Sequence, residues 1–141
     1  MKGSYVLLIE VERPMSLRIG SLGLVHFRKG FYAYVGSAMN SLEKRIERHT
    51  RKRKKKFWHI DYLLERAKLV DVVFWVHEER RECEIANAMA KMFGAMPNFG
   101  SSDCMCKSHL FYSEDYNKLK NYTKKILRAP RLLSKQKAFL F

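Results

Sequence analysis

Two basic side chains, Arg45 and His49, are four residues apart in the segment YVGSAMNSLEKRIERH, which starts at Tyr34. The segment is typical of a strand, a tight turn and a helix. Because four residues make about one helical turn, both side chains lie on one stripe of the helix with Leu42 and Ile46. We predict that this stripe faces the core. A guanidinium keeps its charge when it is buried, so Arg45 must be paired or must line a polar cleft.

A carboxylate has the equivalent position in a later segment, EERRECEIANAMAKMF, which predicts a helix ending at Gly94. Glu82 lies in the centre of an apolar stripe with Met89, where a carboxylate is costly unless it meets a cation or a metal ion. The two helices therefore predict either an active site or a buried ion pair between Arg45 and Glu82. In the plainer interpretation, Arg45 reaches past the sheet edge and His49 is a core histidine.

Two strand tyrosines are further candidates. Alternation places Tyr5 on one face of a strand over residues 4–11, together with Leu7, and Tyr34 on one face of a later strand, together with Tyr32. A tyrosine hydroxyl that reaches a cleft could orient a phosphate or a water molecule. A tyrosine that only packs, with its hydroxyl in water, is the competing interpretation.

The charge of the chain indicates a polyanionic partner. The 28 Lys and Arg residues outnumber the 14 Asp and Glu residues, which gives a formal net charge of +14. The run RHTRKRKKK concentrates this excess at residues 48–56. A basic loop that binds phosphates adds salt-sensitive, sequence-independent affinity for nucleic acid, although a solvated loop would have the same composition. The residues that we predict to contact nucleic acid here are Arg51, Lys52, Arg53, Lys54, Lys55 and Lys56.

The pattern of elements predicts one α+β domain over residues 1–141, with a small, mainly antiparallel sheet flanked by helices. Strands are expected at 4–11, near 17–19, 23–27 and 31–36, and at 69–76, which has the composition of the most buried strand. The first helix is expected to begin at an Asn40 cap and to end near Arg48. A last helix is expected between Ser113 and Pro130.

The remaining composition narrows the class of protein. No apolar run approaches the roughly 20 residues of a membrane span, and no signal-peptide pattern is present, so we expect a cytoplasmic protein. The three cysteines do not suggest a disulfide framework. Cys104, Cys106 and His109, together with Cys83, have ligand types suited to a structural zinc ion, and thiols packed in a loop are the alternative.

The segment at Tyr34 resembles the core motif of the GIY-YIG nuclease superfamily, in which Y-[IV]-G closes a strand and a helix with an inward arginine follows. Residues 34–36 (YVG) match the YIG element, residues 3–5 (GSY) match the GIY element, and Arg45 matches the helix arginine. His49 matches a histidine that some members carry one turn later.

The resemblance extends over about residues 3–112. By its stripe position and order, Glu82 corresponds to the metal-binding glutamate of the superfamily, and Asn98 to an asparagine of the following loop, which would contact nucleic acid. The segments FYAYVGSA, WHIDYLL, REC and SDCMCKSHLF are similar to a small uncharacterised prokaryotic subfamily. The separation of the two tyrosine motifs is longer than usual, which implies an inserted hairpin after the first strand. Residues 113–141 would be a C-terminal helical extension.

The resemblance implies hydrolysis of nucleic-acid phosphodiester bonds with one divalent cation, Mg²⁺ or Mn²⁺. Glu82 would hold the cation as a hard oxygen ligand, and Arg45 would stabilise the negative charge that builds on the phosphate. His59 is a candidate for phosphate contact or proton transfer. The residues that would position or deprotonate the attacking water are Tyr5, Tyr34 and His49.

We therefore expect a metal-dependent endonuclease that acts on DNA rather than RNA, and that is structure-directed or weakly sequence-specific. The alternative is a nucleic-acid-binding module of the same fold with little or no catalysis. A protein partner could supply targeting in either case.

Overall fold

The computed structural model describes residues 1–101 and 105–128. The strands are β1 (Gly3–Val11), β2 (Met15–Arg18), β3 (Leu24–Phe27), β4 (Gly30–Ala38), β5 (Lys68–Val76), β6 (Gly94–Ala95) and β7 (Leu110–Ser113). The helices are α1 (Leu42–Thr50), α2 (His59–Arg66), α3 (Glu82–Ala90) and α4 (Tyr116–Arg128), with a short 3-10 turn at Gly20–Leu22.

The α+β class and the antiparallel sheet are confirmed. Within the described residues, five strands form one antiparallel sheet in the order β5-β1-β4-β7-β6. β2 and β3 form a separate two-stranded hairpin, which follows the first strand as expected. None of the described helices is long and apolar enough to cross a membrane.

The sheet is covered on both faces, which explains why β1 is apolar along almost its whole length. On one face, Tyr5 and Leu7 pack with α1, α2 and the β2–β3 hairpin. On the other face, Val6 and Leu8 pack with α3 and α4. The period of two in β1 therefore divides one strand between two hydrophobic clusters, and Tyr5 belongs to the α1 side.

The prediction for β5 was wrong. β5 is an edge strand, and Phe74, Trp75 and Val76 near its end are 52%, 43% and 44% exposed. Its run of apolar residues has the composition of a strand covered on both faces, but β1 is its one neighbour in the described sheet. The amino-acid composition of a strand cannot show whether it lies at the centre or at the edge of a sheet, because the topology of the fold sets how many strands it pairs with.

The helix boundaries also differ from the prediction. α1 begins after Ser41, whose hydroxyl accepts a hydrogen bond from the Lys44 backbone N–H at 3.2 Å, so the cap is Ser41 rather than Asn40. α1 continues to Thr50, two residues beyond the predicted end. The predicted close of α4 at Pro130 and the rest of the C-terminal extension lie outside the described residues.

Candidate active site

A cleft of about 720 Å³ opens at the end of β4. β7 pairs with β4 only from Phe31 to Tyr34, so the sheet has no β7 neighbour beside the last residues of β4. The side chains that line this opening and bear on its chemistry are Tyr5, Tyr34, Arg45, Trp58, Glu82 and His109.

The cleft joins groups from the two helical layers. Arg45 comes from α1 on one face of the sheet, and Glu82 is the first residue of α3 on the other face. Because the sheet is open past Tyr34, Arg45 and Glu82 can line the same space although the sheet separates their helices. Tyr5, Tyr34, Arg45 and Glu82, four of the predicted site residues, are brought together here.

Tyr5 and His49 form a buried pair behind the cleft. The Tyr5 hydroxyl lies 2.8 Å from His49 Nε2, and the two residues are each 2% exposed. His49 Nδ1 has no hydrogen-bond partner among the described residues. His49 does not line the cleft itself, so it reaches that space through Tyr5.

Burial sets the protonation of this pair. Burial, reinforced by the Lys54 ammonium, lowers the pKa of His49 to about 3. Burial also raises the pKa of Tyr5 to about 12, although Arg45 opposes this shift. At neutral pH the imidazole is therefore neutral and the phenol is protonated, so Nε2 can accept the Tyr5 O–H when the imidazole proton is on Nδ1.

The close approach of Tyr5 to β4 depends on Gly36. A Cβ atom at this position would collide with the Tyr5 ring and hydroxyl. Glycine at the end of the YVG sequence thus leaves the space in which the Tyr5 hydroxyl meets His49.

Tyr34 lies against a loop that His59 holds. The Gly100 N–H donates to His59 Nδ1 at 2.8 Å, and a Cβ at Gly100 would approach Tyr34 Cε1 to 2.8 Å. Gly100 has a φ of 71°, which favours glycine. Burial raises the pKa of Tyr34 and lowers that of His59. His59 does not line the cleft, where phosphate contact or proton transfer was predicted for it. Its contact with Gly100 positions the loop instead.

Arg45 is held by neutral groups. Its Nη1 donates to the Ser37 carbonyl at 3.1 Å, and its guanidinium carbon lies 4.7 Å from the centroid of the Trp58 ring. Within the described residues Arg45 makes no ion pair with Glu82, in contrast to the buried-pair interpretation. Its charge remains available to an anion in the cleft.

Glu82 is one of two carboxylates among the residues that line the cleft, the other being Glu84. The Glu82 side chain is 23% exposed, with Oε1 2.7 Å from Arg80 Nη1 and Oε2 3.9 Å from His109 Nδ1. The buried Ser37 hydroxyl in the same wall has no hydrogen-bond partner among the described residues. Mg²⁺ usually takes one or two protein carboxylates and fills its shell with water and phosphate oxygens, so these hard donors fit it.

A second arginine, Arg48, stacks on the Trp58 ring, and the helical pattern did not identify it. Arg48 lies over the Trp58 ring, 4.4 Å from the centroid, and its Nη1 and Nη2 donate to Asp61 at 2.9 and 3.0 Å. Asp61 also accepts the backbone N–H groups of Phe57 and Trp58. The sequence feature that could have identified this pair is Asp61 at the third position of α2, because a carboxylate at that position often caps the start of a helix.

The basic loop divides into structural and exposed cations. Lys54 turns back and donates to the carbonyls of Arg48, His49 and Arg51, and so caps the end of α1. This use of Lys54 differs from the predicted phosphate contact.

The other cations of the loop are exposed. Arg51 pairs with Glu47 and Lys56 pairs with Glu65. No ion pair within the described residues engages Lys52, Arg53 or Lys55. The loop leads directly to Trp58, and hence to the wall of the cleft.

Asn98 is placed apart from the cleft. It is exposed, has a φ of 61°, and is not among the lining residues. Its backbone N–H donates to the Lys107 carbonyl at 2.7 Å. Asn98 therefore shapes a turn, and its predicted contact with nucleic acid would have to occur outside the cleft.

Cys83, Cys106 and His109 converge beside Glu82. One potential ligand atom from each lies within 4.8 Å of the others. Cys104, which the sequence pattern groups with them, lies outside the described residues.

An α+β domain with a polar cleft between its two helical layers is the class that this fold and site define. The chain matches the model of a family described as a domain of unknown function, DUF123, over residues 4–132, and it belongs to that family. No curated protein and no solved structure matches the chain.

Proposed function

We propose that this protein is a divalent-metal-dependent endonuclease that hydrolyses phosphodiester bonds of DNA. The observation that carries the proposal is the meeting in one cleft of Glu82 and Arg45, from helices on opposite faces of the sheet, with Tyr5 and Tyr34 of the strands. The basic loop that leads into the cleft at Trp58 supports a polyanionic substrate.

Glu82 would hold the cation, with phosphate and water oxygens completing its shell. When bound, Mg²⁺ or Mn²⁺ would supply Lewis-acid stabilisation of the phosphate oxygens. Glu82 Oε1 is 2.7 Å from Arg80, so this exposed arginine would move away or turn to the phosphate when the carboxylate binds a cation.

Tyr5 and His49 would activate the attacking water. As water attacks phosphorus and the bond from phosphorus to the leaving 3′ oxygen breaks, the water proton would pass to the Tyr5 oxygen and the Tyr5 proton to His49 Nε2, which lies 2.8 Å away. The leaving oxygen would take a proton from solvent water. The imidazole is neutral and can accept this proton, but burial disfavours its charged form, so the negative charge that builds on the phosphate would have to stabilise the imidazolium. Tyr34, on the same wall, would orient the water or a phosphate oxygen.

Arg45 would stabilise the negative charge of the transition state. Its guanidinium is fixed by the Ser37 carbonyl and by the Trp58 ring, so little reorganisation accompanies the build-up of charge on phosphate.

Nicking of labelled duplex, flapped and branched DNA with Mg²⁺ or Mn²⁺ tests the proposal. We expect Glu82→Ala and Arg45→Ala to abolish cleavage while DNA binding persists. Glu78→Ala and Lys44→Ala, at exposed positions near the same elements, are the matched controls and should cleave normally. Wild-type rates in Glu82→Ala would contradict the assignment.

A binding module with little or no catalysis is the second candidate, in which nucleic acid occupies the cleft without being cut. The Arg80–Glu82 ion pair favours it, because the carboxylate is already neutralised by a cation of the same chain. Salt-sensitive DNA binding without cleavage under any divalent metal would select this alternative. A protein partner that supplies targeting is compatible with both candidates.

A further inference from the structure

Three soft or borderline metal ligands meet at the edge of the cleft. Cys83 is on the first turn of α3, whereas Cys106 and His109 precede β7. The backbone of His109 is fixed, because its N–H donates to the Phe99 carbonyl at 2.8 Å and its carbonyl accepts the Val35 N–H at 2.9 Å.

The separations suit a tetrahedral ion. The ligand atoms of Cys83, Cys106 and His109 all lie within 4.8 Å of one another. In a tetrahedral site with Zn–S bonds of about 2.3 Å, neighbouring ligand atoms are about 3.8 Å apart. Side-chain shifts on the order of 1 Å would therefore close the three ligands on one ion. The half-buried thiols and the buried imidazole would meet the ion with little loss of solvation.

The ligand types select the metal. Two thiolates and an imidazole are a poor set for Mg²⁺, which prefers oxygen, and a good set for Zn²⁺. This site is thus chemically different from the Glu82 carboxylate, although Glu82 and Cys83 are adjacent in the chain.

We propose that Cys83, Cys106 and His109 bind a zinc ion that ties the start of α3 to the segment before β7. Glu82 precedes one ligand in sequence, and His109 lines the same cleft. The zinc ion would therefore hold the carboxylate and the wall of the cleft in place. Water or another donor completes the four-coordinate shell.

Metal content of the purified chain tests the proposal. After expression with added zinc and desalting, elemental analysis should give about one zinc ion per chain, and Cys83→Ser and His109→Ala should each lower this at least tenfold. His26→Ala, at an exposed histidine of the hairpin, is the control and should keep the zinc ion. Glu82→Ala should also keep it, which separates this proposal from the nuclease proposal.

Cobalt substitution gives an answer even if the variants fold poorly. Wild-type protein loaded with Co²⁺ should show the sulfur-to-cobalt charge-transfer band and the visible bands of a tetrahedral site. A chelator that removes the metal should lower the melting temperature of the wild type, but not that of a folded Cys83→Ser variant. Absence of stoichiometric zinc and of the charge-transfer band, or a Cys83–Cys106 disulfide in mass spectra of the purified protein, would overturn the proposal.

Discussion

The Tyr5 hydroxyl and His49 Nε2 lie 2.8 Å apart, at the buried junction of β1 with α1. Tyr5 lines the cleft whereas His49 lies behind it, so the hydroxyl connects the imidazole to the cleft. If this contact activates water, its two members act as a unit, and removal of either should have nearly the effect of removing both.

Tyr5→Phe and His49→Gln should each lower kcat for DNA cleavage by about a hundredfold, because a positioned acid–base group contributes about that factor or more. The double variant should cost little more than either single variant. Single-turnover cleavage at saturating protein measures the rates. Tyr32→Phe is the control, since the Tyr32 hydroxyl donates to the Arg28 carbonyl and is outside the cleft lining. Multiplicative losses in the double variant would contradict a relay.

The pH dependence of stability should carry the signature of His49. Its folded pKa of about 3 is below the value of 6.5 in an unfolded chain, so only the unfolded state takes up this proton between those pH values. Stability is therefore full above about pH 6.5 and falls as the pH drops toward 3. Between pH 7 and pH 5 the loss from this group should be about 2 kcal/mol.

Urea unfolding of the wild type and of His49→Gln at several pH values measures the contribution of His49 to the free energy of unfolding. The free energy of unfolding of His49→Gln should fall less steeply below neutral pH. The exposed His26→Ala should leave the slope unchanged. Equal slopes in the wild type and His49→Gln would show that the imidazole becomes protonated inside the fold.

The ion pair of Arg48 with Asp61 should support the fold. The Asp61 side chain is fully buried, and that of Arg48 is 17% exposed. Burial alone would raise the pKa of Asp61, but the hydrogen bonds from Arg48 and from two backbone amides outweigh it and lower the pKa. Asp61→Asn should reduce the free energy of unfolding by about 3 kcal/mol, because it leaves a partly buried guanidinium without its charge partner.

Chemical denaturation at neutral pH and low salt measures the cost in Asp61→Asn. Glu47→Gln is the control, because the pair of Glu47 with Arg51 is exposed and should contribute less than about 0.5 kcal/mol. A cost for Asp61→Asn no greater than that of Glu47→Gln would show that Arg48 finds another partner.

Nucleic-acid binding should separate the two kinds of lysine in the basic loop. Replacing Lys52, Arg53 and Lys55 together with alanine should weaken DNA binding and lower the slope of log K against log salt by about 2 to 3, because each lost phosphate contact removes about 0.9. Lys54→Ala should leave that slope nearly unchanged and lower the melting temperature instead, since Lys54 caps α1.

Fluorescence anisotropy at several salt concentrations measures the slopes. An unchanged slope in the triple variant would place the phosphate contacts elsewhere. A Lys54→Ala slope that changes as much as one exposed cation would indicate that the ammonium leaves α1 when DNA binds.

The sequence by itself determined the period of each element, and with it the α+β class and the faces of Tyr5, Tyr34, Arg45 and His49. These features are local, since they depend on 3.6 residues per helical turn and two per strand repeat. The tertiary structure decided which of these faces meet. The sheet opening past Tyr34 joins Glu82 to Arg45 from opposite layers, while β5 lies at an edge although its composition indicates burial.

The periodicity of the sequence also cannot predict which distant residues contact each other, because such contacts depend on tertiary packing. The Arg48–Asp61 pair and the return of Lys54 onto α1 depend on how distant segments cross. A residue type and its spacing fix the chemistry that a side chain can offer. Tertiary packing determines which residue or ligand that side chain contacts.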